Sequence, residues 1–314
     1  MPSPFFTKRR TWIGMAIAAI GTLVVAAGCT SLAEKERELV FRIEPGTARW
    51  YDGLPAGVEE IDLPVRKAIE HPASASGQAG PIVHAWWWPA QRKDAPAVLY
   101  LHGSRWNLTG QLFRIQQLHD LGFAVMAIDY RGFGKSRGDK DGDLPSEKTV
   151  YEDARIGWDA LVARVPDASH RFIYGHSLGG AVAVDLAADL SDAAKKNAQP
   201  APAAGLVVES SFTNLADIAR ALSYSWLPVQ LLITQKFDSI DKIADVRMPV
   251  IVLHGDSDRY VPVDLGRKLF DAAPEPKRLV VVEGGTHNNS LRLGASAMRR
   301  AFKDLFAVRT TAAS

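Results

Sequence analysis

The pattern of apolar and polar residues changes character near Pro96. Before it, short apolar segments separated by turn-forming residues predict three extended segments, at 39–43, 58–65 and 82–88. We expect these to form an antiparallel edge. After Pro96, apolar runs rich in β-branched residues alternate with helical stretches, which is typical of βαβ units and of a parallel sheet buried on both faces.

The alternation after Pro96 predicts six strands and five helices. The strands are expected at 97–101, 124–128, 172–174, 206–208, 250–253 and 279–282. The helices are expected at 108–121, 147–165, 178–190, 265–273 and 290–306. Together they predict an α/β fold, with a mostly parallel central sheet and helices on both faces, as one domain that spans residues 29–314.

Two segments depart from this rhythm. Residues 191–204, rich in Ala, Pro and Lys, predict a solvated surface loop. Residues 212–243 are apolar and aromatic with little charge, and they fall between two predicted core strands. One interpretation is a small helical flap over the carboxyl ends of the strands, where ligands bind in α/β sheets. Ordinary packing helices explain the same composition.

The first residues have the layout of an export signal, with three basic residues at 8–10 followed by an apolar run at 12–25. Small residues then precede Cys29, the only cysteine of the chain. The Ala-Ala-Gly-Cys sequence resembles a bacterial lipobox, which implies cleavage after Gly28 and lipid attachment to Cys29. An ordinary signal peptide or an uncleaved anchor helix are the alternatives, although the run is shorter than the ~20 residues of a spanning helix.

A lipidated Cys29 predicts a protein of the bacterial cell envelope that is bound to a membrane through its lipid anchor. Thr30, in place of Asp, favours the periplasmic side of the outer membrane in a Gram-negative host. Arg9 and Arg10 faintly resemble a twin-arginine signal.

Cleavage would remove three of the 37 basic residues and none of the 35 acidic ones, leaving a net charge of about −1. The remaining chain has no basic cluster that would suggest nucleic-acid binding.

The candidate nucleophile is Ser177, which lies in Gly-x-Ser-x-Gly at residues 175–179. An apolar strand precedes this pentapeptide and a helix-forming stretch follows it. Such a strand, sharp turn and helix would lift the serine hydroxyl clear of the sheet. Glycines two residues before and after the serine are required because the chain crosses itself closely there.

A serine hydroxyl needs a base within hydrogen-bond reach and an acid that orients the base. In this topology the chain order is Ser, then an acid, then His. His287 follows the last predicted strand and is the expected base. The acid is expected after the preceding strand, where Asp256 and Asp258 are both available. Asp258 is favoured because Asp256 can serve the glycine turn itself; His254, at the strand end, is interpreted as structural.

Acyl transfer also needs backbone N–H groups that stabilise the developing oxyanion. The N–H of Leu178 at the helix start is one expected donor. The other is expected in the loop after strand 97–101, where Ser104 is favoured over Gly103. Arg105 and Trp106 follow directly and are candidates for substrate contact, with simple solvation of the arginine as the alternative.

Five segments in this order resemble the α/β-hydrolase superfamily. They are His-Gly-Ser at 102–104, Asp-Tyr-Arg-Gly-Phe-Gly-Lys-Ser at 129–136, Gly-His-Ser-Leu-Gly-Gly at 175–180, the segment 254–262 and Gly-Thr-His-Asn at 285–288. More closely, the chain is similar to membrane-associated lysophospholipase, acyl-protein thioesterase and serine aminopeptidase-like members. The resemblance implies a triad of Ser177, Asp258 and His287, and a structural turn at 129–132. Relatives often carry asparagine where this chain has Ser104.

The sequence therefore predicts a serine hydrolase of carboxylic esters or thioesters, acting on acyl lipids or acylated molecules through an acyl-serine intermediate. A serine peptidase of the aminopeptidase type is one alternative, and a non-catalytic binding lipoprotein on the same fold is another. The chain contains no metal-ligand spacing and no phosphate-binding loop, so neither a metal nor a cofactor is expected.

Overall fold

The structure is a computed structural model that describes residues 32–65, 80–138, 140, 142–221 and 233–308. The leader with Cys29 and the centre of the predicted flap, residues 222–232, lie outside the described residues. The lipid anchor and the flap therefore stay predictions.

An eight-stranded sheet forms the centre of the molecule, with the strand order β1-β2-β4-β3-β5-β6-β7-β8. β2 pairs antiparallel with β1 and with β4, and all other neighbours are parallel. Two of the three segments of the predicted antiparallel edge, those at 58–65 and 82–88, are confirmed as strands, and so are the six later strands and the α/β fold class. The strands are β1 (Glu59–Pro64), β2 (Ile82–Trp88), β3 (Ala97–Leu101), β4 (Ala124–Ile128), β5 (Arg171–His176), β6 (Gly205–Glu209), β7 (Val250–Gly255) and β8 (Lys277–Val282).

Helices cover both faces of this sheet. One buried cluster joins it to α3, α4 and α7, and includes Trp158 and Leu269; the other joins it to α2 and α9, and includes Ile115 and Phe302. The central strands β3 to β7 are thus buried between two apolar layers. The described helices are α1 (residues 32–40), α2 (Leu108–Asp120), α3 (Glu147–Arg164), α4 (Leu178–Lys196), α5 (Leu215–Ala221), α6 (Ser239–Lys242), α7 (Val263–Ala272), α8 (Ser290–Leu293) and α9 (Ala295–Phe306).

The extended segment expected at 39–43 is wrong. Residues 32–40 form α1, and beyond it only an isolated bridge pairs Arg42 with Arg105. The residues before Leu39 are mostly Ala, Glu, Lys and Arg, which favour helix, and an ion pair joins Lys35 to Glu38 across one turn. This helical preference extends into the short apolar run.

Two other boundaries differ from the prediction. α4 continues through the first part of the expected loop 191–204 and ends at Lys196. Its alanines favour helix, and Lys195 and Lys196 complement the negative end of the helix dipole. The single helix expected at 290–306 is divided at Gly294 into α8 and α9.

The segment expected to form the flap contributes α5 and α6 in its described parts. Phe212 and Phe237 lie on either side of residues 222–232 and are buried in the core. Among the described residues, no helix combines the length and the apolar character that crossing a membrane requires.

Candidate active site

Ser177 lies at the sharp turn between β5 and α4, at the carboxyl edge of the sheet. Its backbone has φ 56° and ψ −122°, a conformation that a non-glycine residue adopts only at an energetic cost. The Ser177 N–H donates to the carbonyl of Glu209 on β6 at 2.9 Å, which holds the turn against the neighbouring strand. The predicted strand, turn and helix are therefore present, with the serine at the turn.

The two flanking glycines are required by close backbone packing. A Cβ on Gly175 would lie 2.1 Å from the carbonyl oxygen of Gly179. A Cβ on Gly179 would lie 2.0 Å from the carbonyl oxygen of Leu101 on β3. Real Cβ atoms do not approach backbone this closely, so only glycine fits at either place.

A chain of hydrogen bonds joins the three residues expected to form the triad. His287 Nε2 lies 3.0 Å from Ser177 Oγ, and His287 Nδ1 lies 2.8 Å from Asp258 Oδ2. The three residues follow β5, β7 and β8, whose parallel carboxyl ends meet at one edge. Serine and histidine are 110 positions apart in sequence, yet they are within proton-transfer distance.

Asp258 is held as an anion. Its Oδ1 accepts hydrogen bonds from the N–H groups of Tyr260 and Val261, both at 2.9 Å. Burial by itself raises the pKa of this carboxyl, but hydrogen bonds from His254 and His287 outweigh it and lower the pKa well below its usual range. An ionised Asp258 accepts the Nδ1–H of His287, which leaves Nε2 free to accept the serine proton.

The other candidate acid, Asp256, makes different contacts. Its side chain is exposed, and Oδ1 accepts the N–H of Gly284 at 2.8 Å. Asp256 therefore braces the turn between the ends of β7 and β8, and the structure brings Asp258 to His287 instead. His254 Nε2 is bonded to the carbonyl of Val261 at 2.9 Å, as expected of a structural residue.

Three backbone N–H groups are available at the site, those of Gly103, Ser104 and Leu178. No backbone hydrogen bond in the described part of the chain uses any of them. All three residues line one cavity together with Ser177 and His287. Free donors beside a nucleophile can stabilise negative charge that develops on a substrate oxygen.

This cavity has a volume of about 600 Å³, and its wall combines apolar and polar groups. Apolar side chains come from the end of α1, from α2, from α5 and from the loops, namely Val40, Trp50, Phe113, Phe212, Leu215, Ile218 and Val261. Arg105 lines the cavity too, and its guanidinium donates to Glu44 at 2.9 Å. Trp106 contacts the ring of Trp50 edge-on, with centroids 5.0 Å apart.

A buried ion pair that the sequence analysis missed lies beneath the site. Arg114 of α2 donates through Nε to Glu209 at the end of β6, at 2.8 Å, and both side chains are buried. Tyr174 also donates to this carboxylate, at 2.8 Å. Arg114 Nη2 donates further to the carbonyl of Asn288, next to the histidine of the triad. An acidic residue that ends an apolar strand is the sequence signal for such a pair.

His176 supports the same loop. Its Nε2 donates to the carbonyl of His287 at 2.9 Å. Burial, together with the nearby positive charge of Arg114, holds the pKa of His176 well below its ordinary value, so the ring stays neutral. The loop that carries His287 is thus fixed from below by two buried donors.

Among the described residues, no group of three or more His, Cys, Asp or Glu side chains is arranged to hold a metal ion.

The strand order, the strained serine turn and the Ser-His-Asp arrangement define an α/β hydrolase. A family model described as serine aminopeptidase, S33, matches residues 93–239. An uncharacterized protein of Mycobacterium tuberculosis is 33% identical over 290 residues, which cover 91% of this chain and 92% of the relative. The chain belongs to the α/β-hydrolase superfamily of serine hydrolases.

Two further similarities extend this result. Lysophosphatidylserine lipase ABHD12 of Danio rerio is 32% identical over 220 residues, 62% of this chain and 54% of that protein. This chain therefore spans about half the length of that relative. Esterase Pf2001 of Pyrococcus furiosus has a TM-score of 0.60, at 16% identity, over 86% of this chain and 97% of that one. The latter similarity is one of fold alone.

Proposed function

We propose that the protein hydrolyses carboxylic esters or thioesters through an acyl-serine intermediate, with Ser177, His287 and Asp258 as the triad. The observation that carries this proposal is the continuous path from Ser177 Oγ to His287 Nε2, at 3.0 Å, and from His287 Nδ1 to Asp258, at 2.8 Å. This geometry allows the proton of a weak alcohol nucleophile to leave as the bond to carbon forms.

In the first step, Ser177 Oγ attacks the substrate carbonyl carbon while His287 Nε2 takes the hydroxyl proton. His287 then gives this proton to the leaving alcohol or thiol as its bond to the acyl carbon breaks. Water attacks the acyl-serine next, again losing a proton to His287, which returns it to Ser177 as the free acid leaves. Asp258 stays ionised and stabilises the imidazolium in both halves.

The oxyanion of each tetrahedral intermediate is proposed to accept the N–H groups of Leu178 and Ser104. Both donors are backbone groups on the cavity wall, and neither is used elsewhere in the described chain. Donors of this kind typically lower the barrier by about 2.7–4 kcal/mol each.

The wall of the cavity favours a substrate with an apolar acyl chain over a substrate with a polar one. Apolar residues of α5 and of the neighbouring loops, with Phe212, Leu215 and Ile218 among them, line it beside Ser177. The lipase activity named for the Danio rerio relative points the same way. A peptidase is the second candidate, because the matching family model is described as serine aminopeptidase. Hydrolysis of p-nitrophenyl esters of graded chain length, compared with aminoacyl p-nitroanilides, separates the two.

The test of the proposal is covalent labelling with a fluorophosphonate, which reacts only with an activated serine. We expect the native protein to be labelled and Ser177→Ala to lose both the label and measurable ester hydrolysis. Ser169→Ala is the control, since this exposed serine lies on the turn before β5, outside the cavity. A native protein that is not labelled would instead favour a binding lipoprotein on the hydrolase fold.

We further propose that the mature protein begins at Cys29 and carries lipid there, in the bacterial cell envelope. The support is the lipobox-like sequence that ends at this cysteine. Cells grown with labelled palmitate should incorporate the label into the native protein and not into Cys29→Ser. Equal incorporation into both proteins contradicts the lipid anchor.

A further inference from the structure

Exposed apolar side chains are concentrated at the mouth of the cavity that holds Ser177. Trp50, Phe113 and Tyr260 line this cavity, yet they are 57%, 39% and 58% exposed. Leu39, at 72%, is the most exposed large apolar residue of the described chain and directly precedes Val40, another lining residue. Such a cluster is typical of a surface that a partner or a membrane covers.

Exposed arginines accompany these apolar residues. Arg42 lines the cavity, Arg49 directly precedes Trp50, and Arg259 directly precedes Tyr260. All three are exposed, and none forms an ion pair or a side-chain hydrogen bond within the described residues. Aromatic rings flanked by free arginines suit the interface of a bilayer, where rings lie at the headgroup level and guanidinium groups meet phosphates.

Acidic groups do not cancel this charge. Between residues 38 and 52, Glu38 is paired with Lys35 and Glu44 with Arg105, which leaves Asp52 as the acid without an ion pair in that segment. Within residues 38–52, two free arginines, Arg42 and Arg49, therefore accompany one free acid, although the chain without its leader is close to neutral. The local charge suits an anionic surface.

α1 connects this mouth to the candidate lipid anchor. The described part of the helix starts at residue 32, three positions after Cys29, and three residues span at most about 10 Å. Its other end reaches the cavity, which Val40 and Arg42 line. The helix is fixed to the domain, because Glu36 accepts the N–H groups of Thr234 and Gln235, both at 2.8 Å. A lipid on Cys29 would thus hold the mouth close to the membrane.

We propose that the cavity mouth is a membrane-binding surface, in which Leu39, Trp50, Phe113 and Tyr260 enter the interface of a bilayer that contains anionic phospholipid. Arg42, Arg49 and Arg259 contact headgroup phosphates. The acyl substrate then reaches Ser177 from the bilayer rather than from water. This last step rests on the proposed hydrolase function; the membrane contact itself does not.

Hydrogen exchange on the full-length lipidated protein tests the contact. We compare protein in vesicles of phosphatidylcholine with protein in vesicles that also contain phosphatidylglycerol. Slower exchange is expected at residues 38–51 and 259–261 in the anionic vesicles, and high salt should reverse it. Equal exchange in both vesicles overturns the proposal. Protection that depends on protein concentration instead of lipid charge also overturns it, because a second copy then covers the mouth.

Variants of the surface distinguish membrane binding from the hydrolysis step itself. Leu39→Asp with Arg49→Glu removes an apolar and a basic contact, and neither residue lines the cavity. We expect hydrolysis of a long-chain ester in anionic vesicles to fall about tenfold or more, since each basic residue contributes about fivefold to membrane affinity. Hydrolysis of a short water-soluble ester should not change.

The matched control is Leu293→Asp with Arg267→Glu, which makes the same two changes at exposed positions outside the cavity. We expect this pair to keep full activity on both substrates. Equal losses in the two double variants contradict the membrane surface. If the native protein hydrolyses no ester at all, the proposed function fails, but the exchange experiment still decides on the surface.

Discussion

Replacement of Asp258 by Asn is expected to lower kcat/KM on a carboxylic ester by about 10⁴-fold. The asparagine amide can donate to His287 Nδ1, which favours the tautomer whose proton is on Nε2. That tautomer cannot accept the proton of Ser177. Steady-state hydrolysis of a short p-nitrophenyl ester measures the loss, and circular dichroism establishes that the variant is folded.

Asp256→Asn is the control, because it makes the same change two residues earlier in the same loop. Its side chain accepts the N–H of Gly284 and does not contact His287, so a reduction within a few-fold is expected. Comparable losses of kcat/KM in both variants would show that hydrolysis depends on the conformation of this loop rather than on the carboxylate of Asp258.

The Asp258→Asn variant is also expected to change how the stability of the protein depends on pH. Hydrogen bonds hold the pKa of Asp258 below its usual range in the folded protein. The ionised carboxylate therefore stabilises the fold above the ordinary pKa of about 4, and this contribution is lost as the pH falls toward the folded pKa. The difference in free energy of unfolding between native protein and Asp258→Asn should narrow below about pH 4 in urea titrations.

Replacement of Gly179 by Ala is expected to destabilise the protein by about 3 kcal/mol or more and to abolish hydrolysis. The new Cβ would lie 2.0 Å from the carbonyl oxygen of Leu101 and 2.5 Å from that of His102. These are backbone atoms of the central strand β3 and its loop, so they cannot rotate away. α4 must shift from the sheet, and the N–H of Leu178 and the hydroxyl of Ser177 shift with it.

Gly57→Ala separates this clash from the general cost of losing a glycine. Gly57 has φ +82° and no atom within 4 Å of its hypothetical Cβ, so an alanine there meets no clash and has only the strain of a left-handed backbone, at about 1–2 kcal/mol. Thermal unfolding of both variants gives the comparison. A Gly179→Ala protein as stable as Gly57→Ala would contradict the close packing at the serine turn.

The parts of the fold that were predictable share a local cause. The strands β3 to β7 are apolar runs that are buried along their whole length, so their residues alone indicate them. The serine turn was recognisable for a related reason, since Gly175 and Gly179 have a steric requirement at fixed spacing around Ser177. Chain order then limited the choice of base and acid to residues after β7 and β8.

One missed feature, the buried ion pair, depends on a contact between distant residues, and the other, α1, has a local cause. Arg114 and Glu209 are 95 positions apart, and nothing near either one indicates its partner. α1 was missed because its apolar end was short enough to suit a strand, and the helix-forming residues before it decided the outcome.

By itself, the sequence determined the α/β class, the serine turn and the candidates for a triad, with Asp256 or Asp258 as the acid, because these depend on periodicity, glycine sterics and chain order. Only the tertiary structure decided that Asp258 rather than Asp256 reaches His287, since the direction of a side chain in a turn depends on the strands beside it. The tertiary structure also decided which exposed residues surround the mouth of the cavity. The exposed residues of α1 and of the loops at Trp50 and Tyr260 are far apart in sequence, and they share one mouth only after the sheet is assembled.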